Sequence, residues 1–451
     1  MQIPLTHLQD VLSTPLLNGS ELPPNTLCTG IVTDSRSLKP GEAFLALRGE
    51  KFDGHAFVET AAERGAIAAI VDRLLPLPIP QFVVGDTLKA YQKIGRWWRD
   101  RFSIPVIGIT GSVGKTTAKE LIAAVLSTHG KVLKTEANYN NEIGVPKTLL
   151  GLTEEHDFAV IEMAMRGRGQ IAELTEIARP DIGIITNVGT AHIGLLGSEE
   201  AIAQAKCELL AEMPDTSIAI LNHDNQRLMD TAATVWQGKT ITFGLQGGEV
   251  CGKFIDANTI DLKGIRLPLP LAGEHNALNY LVAIAVAKVL NLDWSHLANG
   301  LSVVLPDGRA KRYELDNDIV VLDETYNAGL ESMLAALKLL AQTPGQRRIA
   351  VLGTMKELGD RSIEFHRQVG EVARQLNLDA LLILADLPEA EAMAKGAEGL
   401  PVVEVIDFAT PNAHELLAKR LQEFAQPGDR LLFKASHSVA LDRVVDQFKN
   451  R

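Results

Sequence analysis

Between the apolar run Ile104–Ile109 and an amphipathic stretch beginning near Thr116 lies TGSVGKTT, Thr110 to Thr117. Residues of these types at this spacing can cradle phosphate. Gly111 and Gly114 let the backbone curl around Ser112 and Val113 so that amides point at phosphate oxygens, and the start of the following helix adds a favourable dipole. Lys115 would then hold the β/γ-phosphates, and the Thr116 hydroxyl, with Thr117 beside it, would ligate Mg²⁺. The strict G-x-x-x-x-G-K-[ST] pattern is not met: Ile109 stands where its first glycine belongs, with Gly108 and Gly111 on either side. A chance glycine-rich turn is disfavoured because a strand, a GKT and a helix coincide in the required order.

Other chemistry-bearing residues are ambiguous on their own. Glu162 closes the apolar run DFAVIEM and His192 follows DIGIIT, so both should emerge at the C-terminal edge of a parallel sheet, where such sheets bind ligands. Each also reads as a strand-end carboxylate or a capping histidine. Lys206 in AIAQAKCELL reads as a surface helix lysine, and Asn276 as the N-cap of a long apolar helix. Asn138 and Asn141 in TEANYNNEIGVP fit a turn as well as neutral amides around phosphate.

These residues need a scaffold, and its pattern is legible. From Ile104 onward short β-branched runs (IPVIGI, DFAVIEM, DIGIIT, SIAILN) alternate with amphipathic stretches such as TTAKELIAAVLSTHG, the signature of a parallel α/β sheet. A second series, IVVLDE, RRIAVLG, ALLILA, VVEVI and DRLLFKA, follows Arg312 and looks Rossmann-like. The first hundred residues are richer in turns and proline. The expected fold is α/β in three domains, with boundaries at 1–103, 104–307 and 308–451. A chain of 451 residues allows about three domains at roughly 150 residues each.

Composition excludes several classes. With 46% hydrophobic and 22% charged residues the chain is neither disordered nor fibrous, and no apolar run is long enough to span a bilayer. Lys+Arg 44 against Asp+Glu 56, net charge -12, argues against a general nucleic-acid binder. The basic and aromatic cluster Arg96, Trp97, Trp98, Arg99, Arg101 reads as the end of a linker helix. Cys28, Cys207 and Cys251 are too scattered for a disulfide framework or a zinc site. No signal-peptide pattern opens the chain, so a cytoplasmic location is expected.

T-G-x-x-G-K-T with threonine in place of the first glycine resembles the Mur ligases and their relative folylpolyglutamate synthase, ATP-dependent amide-bond ligases. The resemblance implies that Thr116, Glu162 and His192 are Mg²⁺ ligands and that Lys206 reacts with CO₂ to give a carbamate orienting a second Mg²⁺. It implies adenine contact by Asn276 with His275 beside it, in AGEHNALNY. A phosphate-bridging arginine at Arg312 is implied, with Arg309 competing. In DETYNAG, Asp323 would take the ribose or order the closed domains, while Tyr326 and Asn327 face the reaction site; Gly329 departs from the family's Asn or Ser. Arg166 and Arg168 in EMAMRGRGQI would meet anionic substrate groups. VTDSRSLKPGEAF and RGEKFDGH resemble a UDP-binding segment, with Ser35, Arg36, Asp53, Gly54 and His55 as contacts.

Within the family, LGTMKELGDRSIEFH and KASHSVALDRVV look like the branch that adds D-alanyl-D-alanine, and no D-N-P-R motif of the tripeptide-forming branch is present. Ala435 and His437 depart from the commoner K-G-S-R, leaving Lys434 and Ser436 as dipeptide candidates. The implied cofactors are ATP, Mg²⁺ and a carbamylated lysine; the implied substrates are UDP-MurNAc-tripeptide and D-Ala-D-Ala, bound by a monomer. The tripeptide-forming ligase, a folylpolyglutamate synthase and, from another class, a nucleotide-dependent switch are the alternatives. The switch gives no reason for the His192, Lys206 and Asn276 spacing, and about a hundred residues before the phosphate loop speak against the synthase.

Overall fold

The computed structural model describes residues 2–19, 23 and 25–450. In its middle part seven parallel strands lie in the order Val250–Cys251, Lys239–Gly244, Ile218–Asn222, Ile182–Ile185, Val106–Thr110, Phe158–Glu162, Val132–Lys134. Helices cover both faces, so the central strands are continuous apolar runs rather than alternating ones. Ile107, Ile109, Val160, Ile161 and Ile184 have no exposed surface, each contributing about 1.5–3 kcal/mol through burial. Ile109 pairs with both Ile184 and Glu162. The position where a strict phosphate loop has glycine is therefore a core sheet residue, and the loop turns only after Thr110.

That register sets Glu162 beside the end of the phosphate-loop strand, so the loop, the carboxylate and the segment leaving Ile185 share one sheet edge. The helix Lys115–Leu126 buries Ala118, Leu121, Ile122 and Val125 and packs on the nearly all-buried helix Glu274–Val289. A three-stranded antiparallel sheet, Lys253–Asp256, Thr259–Leu262 and Ile265–Pro268, precedes that second helix. Its short, mostly exposed strands gave no clear sequence signal.

The last part has six strands, ordered Lys311–Leu315, Ile319–Glu324, Asp429–Lys434, Arg347–Gly353, Ala380–Ala385, Val403–Asp407. The five expected strands are parallel; the unexpected edge strand Lys311–Leu315 is antiparallel. The first part holds a five-stranded sheet of short strands. Its exit helix, Thr87–Arg99, is capped by Asp86 and ends in the basic and aromatic cluster. Buried Arg99 donates to the Ala178 and Arg179 carbonyls, both at 2.9 Å, and Trp98 Nε1 donates to the Leu152 carbonyl at 3.1 Å. The cluster thus rivets the linker helix to the middle sheet's helices. Among the described residues no helix is long and apolar enough to cross a membrane.

Candidate active site

Glycine is required in the phosphate loop for two different reasons. A Cβ at Gly111 would stand 1.9 Å from Thr186 Oγ1, and Gly114 turns into the helix at φ +83 with Asn279 Oδ1 2.6 Å from where its Cβ would lie. Asn187 braces the loop: it accepts the Val113 amide at 3.0 Å through Oδ1 and the Ser112 amide at 3.0 Å through its carbonyl. Two of the expected phosphate donors are thereby engaged in holding the loop's shape. The first helical turn, Lys115 to Thr117, offers its amides instead. Lys115 Nζ folds back to the Gly111 carbonyl at 2.8 Å.

Around this loop the structure gathers Glu162, His192, Lys206 and Arg309. Glu162 is buried; Oε1 accepts from Asn140 Nδ2 at 2.8 Å, while Oε2 is buried with no hydrogen-bond partner among the described residues. Lys119, four residues after Lys115 and wholly buried, reaches within 3.9 Å of that oxygen and donates to the Thr135 carbonyl at 2.6 Å. Lys206, on the helix Glu199–Glu212, is also buried; desolvation pushes its ammonium well below the usual lysine range, and the charge of Lys115 adds to the shift. Burial also lowers Lys115, aided by Arg309 and opposed by Glu162. His192 is lowered by burial and by Lys115, while Glu357 opposes. The surface-lysine reading of Lys206 is overturned: this helix face is turned into the sheet.

The two arginine candidates separate. Arg312 is exposed on the edge strand, where among the described residues it pairs with Glu314 at 3.3 Å. Arg309 lies over the Tyr326 ring at 3.8 Å, and its buried Nε makes no hydrogen bond among the described residues. Arg309 and Tyr326 line a cavity of about 410 Å³ with Asn138, Thr325, His437 and Asp442, where middle and last parts meet. Asn138 is therefore in the cavity, whereas Asn141 caps the helix Gly144–Leu149 through the Gly144 amide at 2.9 Å.

Three descriptions of Mur ligase domains match the chain: "Mur ligase family, catalytic domain" at residues 28–90, "Mur ligase middle domain" at 109–287, and "Mur ligase, glutamate ligase domain" at 308–437. The chain is 59% identical over 449 residues to the UDP-N-acetylmuramoyl-tripeptide–D-alanyl-D-alanine ligase of Synechocystis sp., covering 99% of this chain and 97% of that one. The chain belongs to the Mur ligase family. Among solved structures, MurF from Acinetobacter baumannii is 30% identical with TM-score 0.89, covering 100% of this chain and 99% of that one. The MurF ligase from Thermotoga maritima in complex with ADP is 31% identical with TM-score 0.82, covering 93% and 97%. This Mur ligase is an ATP-dependent enzyme with the three-domain α/β architecture of those relatives.

The remaining candidates of the Mur ligase sit at its domain junctions or away from them. Asn276 is buried and donates to the Ala272 carbonyl at 2.8 Å, closing the turn that starts its helix. His275 is lowered by burial, with Glu324 opposing and Lys434 assisting, so it faces the last domain. Asp323 accepts from the Thr325 amide and hydroxyl, at 3.1 and 2.7 Å, and burial raises its carboxyl. Asn327 accepts its neighbour's amide, and buried Lys434 donates to the Asn327 carbonyl at 2.9 Å. Ser436 accepts the Lys356 amide at 2.9 Å. Arg166 and Arg168 are at the surface, the latter on Gln204 at 3.1 Å.

In the first domain Arg36 is exposed and forked onto Asp34, and Ser35 is buried beside it. His55 is buried between Asp53 Oδ1, 2.5 Å from Nδ1, and the Asp72 amide, which donates to Nε2 at 3.0 Å. Arg48 and Arg73 close the cluster on Asp53 and Asp72. Sequence reasoning missed Asn140, Lys119, Asn187, Asn279 and Glu357. Asn140, Asn279, Lys119 and Glu357 all lie in segments with a legible pattern, TEANYNNEIGVP, AGEHNALNY, TTAKELIAAVLSTHG and LGTMKELGDRSIEFH, but only folding shows what each of them and Asn187 touches.

Proposed function

We propose that this Mur ligase joins D-alanyl-D-alanine to UDP-N-acetylmuramoyl-tripeptide at the expense of ATP, releasing ADP and phosphate. The likeness carrying this reading is the 59% identity, over nearly the whole chain, to a relative named for that reaction. The γ-phosphoryl group passes to the tripeptide's terminal carboxylate, the dipeptide amine attacks the resulting acyl phosphate, and phosphate leaves. Lys115 and the helix start hold the triphosphate in line, and Arg309, from the domain junction, is the better phosphate partner than Arg312. The reaction needs no protein nucleophile; positioning and preorganised charge supply the catalysis. The cavity shared by Asn138, Tyr326 and His437 is where the acceptor carboxylate and incoming amine meet, shielded from water by the last domain.

The residues present suit Mg²⁺. Glu162 Oε2 is a buried carboxylate oxygen that, among the described residues, accepts no hydrogen bond; its nearest cation is Lys119 at 3.9 Å, and it lies next to the Lys115 loop. Among the described residues no three His, Cys, Asp or Glu side chains form a ready-made cage, so an ion here would need phosphate oxygens and water to complete its shell. Thr116, Glu162 and His192 would hold it, and it would supply neutralisation of the transferring phosphoryl charge. Buried Lys206, with its amine shifted toward the neutral form, has the chemistry a carbamate requires. Asn276 and His275 are assigned to adenine, Asp323 to ribose, and Ser35 and Arg36 to the UDP moiety, while His55, buried with both ring nitrogens engaged, shapes the turn beside them rather than contacting the ligand. We also take the three domains to divide at 103 and 307 in a cytoplasmic monomer.

Purified chain incubated with ATP, Mg²⁺, UDP-MurNAc-tripeptide and D-Ala-D-Ala should release phosphate only when both acceptor substrates are present, with the pentapeptide product seen by mass. Phosphate release indifferent to either one refutes the assignment. Lys206→Ala should lose activity and regain part of it with short carboxylates; a fully active variant removes the carbamate.

A further inference from the structure

The last domain grips one loop of the middle domain with two carboxylates. Glu331 accepts from the Thr190 amide at 2.6 Å and from its hydroxyl at 3.2 Å. Glu357 meets His192 Nδ1 at 2.5 Å through Oε2, and its main-chain carbonyl accepts the Gly194 amide at 3.0 Å. The loop is shaped for this approach. A Cβ on Gly189 would lie 2.4 Å from Glu331 Oε1, and one on Gly194 would lie 2.5 Å from the Gly359 amide nitrogen. Both members of the central pair are held in left-handed backbone, His192 at φ +66 and Glu357 at φ +63. Such strain in non-glycine residues persists where surrounding contacts determine it, and it concentrates at functional positions.

We propose that Glu357 is a positioning residue for His192, so that docking of the last domain completes the metal-binding edge of the middle domain. Histidines that bind a metal through one ring nitrogen characteristically carry a carboxylate or carbonyl on the other, which fixes the tautomer and the ring plane. Here that carboxylate comes from a different domain. Nδ1 is engaged by Glu357, which leaves Nε2 as the nitrogen with a free lone pair. The domain that brings His437 and Lys434 to the junction thereby also sets the imidazole, and the site cannot reach full affinity for a divalent cation while the domains are apart. The inference rests on His192 being a metal ligand, as proposed above.

Mn²⁺ titrated into the full-length chain with ADP, with free Mn²⁺ read from its electron paramagnetic resonance signal, tests this without turnover. Glu357→Ala should weaken Mn²⁺ binding about tenfold or more, and Glu357→Gln, which keeps an acceptor oxygen for Nδ1–H, should recover most of it. Gly194→Val, which pushes the domains apart while leaving Glu357 intact, should reproduce the loss; melting curves report whether each variant is folded. Wild-type affinity in Glu357→Ala or Gly194→Val, with His192→Ala weakened, overturns the positioning role and spares the metal assignment. Wild-type affinity in His192→Ala overturns both.

Discussion

The Ser35–His55 region of the first domain and the phosphate-loop edge of the middle domain use similar residue types to opposite effect. In the first domain the polar groups satisfy one another: Asp34 takes Arg36, and Asp53, His55, Asp72, Arg48 and Arg73 form a closed set. In the middle domain the groups are left open. Among the described residues Glu162 Oε2 and Thr110 Oγ1 are buried without hydrogen-bond partners, and Lys206 is buried beside another cation. A closed polar cluster stabilises a fold, whereas unmade buried bonds cost about 1–3 kcal/mol each and are retained where a ligand makes them. The contrast is one of structure: the first domain's cluster is closed on itself, and the middle domain's edge keeps buried polar atoms free to meet a ligand, which is what the proposed site requires.

The comparison can be broken most easily at Lys115. Lys115→Ala should lower kcat by about 10²- to 10³-fold, the usual loss on removing one charge-stabilising donor, with the unfolding midpoint hardly moved. A kcat near wild type would show that the loop is structural. Lys206→Met should abolish ligation while holding or raising the melting temperature, because it replaces a buried amine with an apolar chain of similar length. A large fall in melting temperature would mean that Lys206 supports the fold as His55 does.

Smaller and opposite in kind is His55→Ala, which should destabilise the chain by about 1–3 kcal/mol in denaturant unfolding by leaving the Asp72 amide without its acceptor, with kcat near wild type. A selective collapse of kcat at unchanged stability would move chemistry into the first domain. The mildest test uses pH. The amide and ring of His55 hold the Asp53 carboxyl well below the usual carboxylate range, so its stabilisation is present above about pH 3.9 and is lost as pH falls below that. Lys206 has its folded value depressed; its cost to the fold is present at neutral pH and is relieved as pH rises toward about 10.4, the unfolded value. Asp53→Asn should therefore flatten the acid limb of a stability profile, and Lys206→Met the alkaline limb.

Much of this was legible in the sequence. The phosphate loop reads locally because backbone curl and helix start are fixed by a few consecutive residues. The parallel strands read because burial on both faces forces apolar runs, and the edge strand Lys311–Leu315 escaped because it alternates half-buried and exposed positions. Choosing between Asn138, Asn140 and Asn141 was beyond local reading: consecutive residues point in different directions, and only the fold shows one in the cavity, one on Glu162 and one capping a helix. Arg309 and Arg312 divide for the same reason, since the strand that begins at Lys311 carries Arg312 outward.

By itself the sequence determined the fold class and the glycine-rich loop between strand and helix, because each depends on short-range periodicity or on a contiguous motif; the proposed metal and carbamate residues came only through the family resemblance. Tertiary structure alone decided which atoms stay unsatisfied and which domain supplies the partner. Glu162 gives Oε1 to Asn140 and keeps Oε2 without a hydrogen bond among the described residues, and His192 is held by a carboxylate 165 positions away. Those outcomes depend on burial and on contacts between distant segments, and no local pattern encodes them.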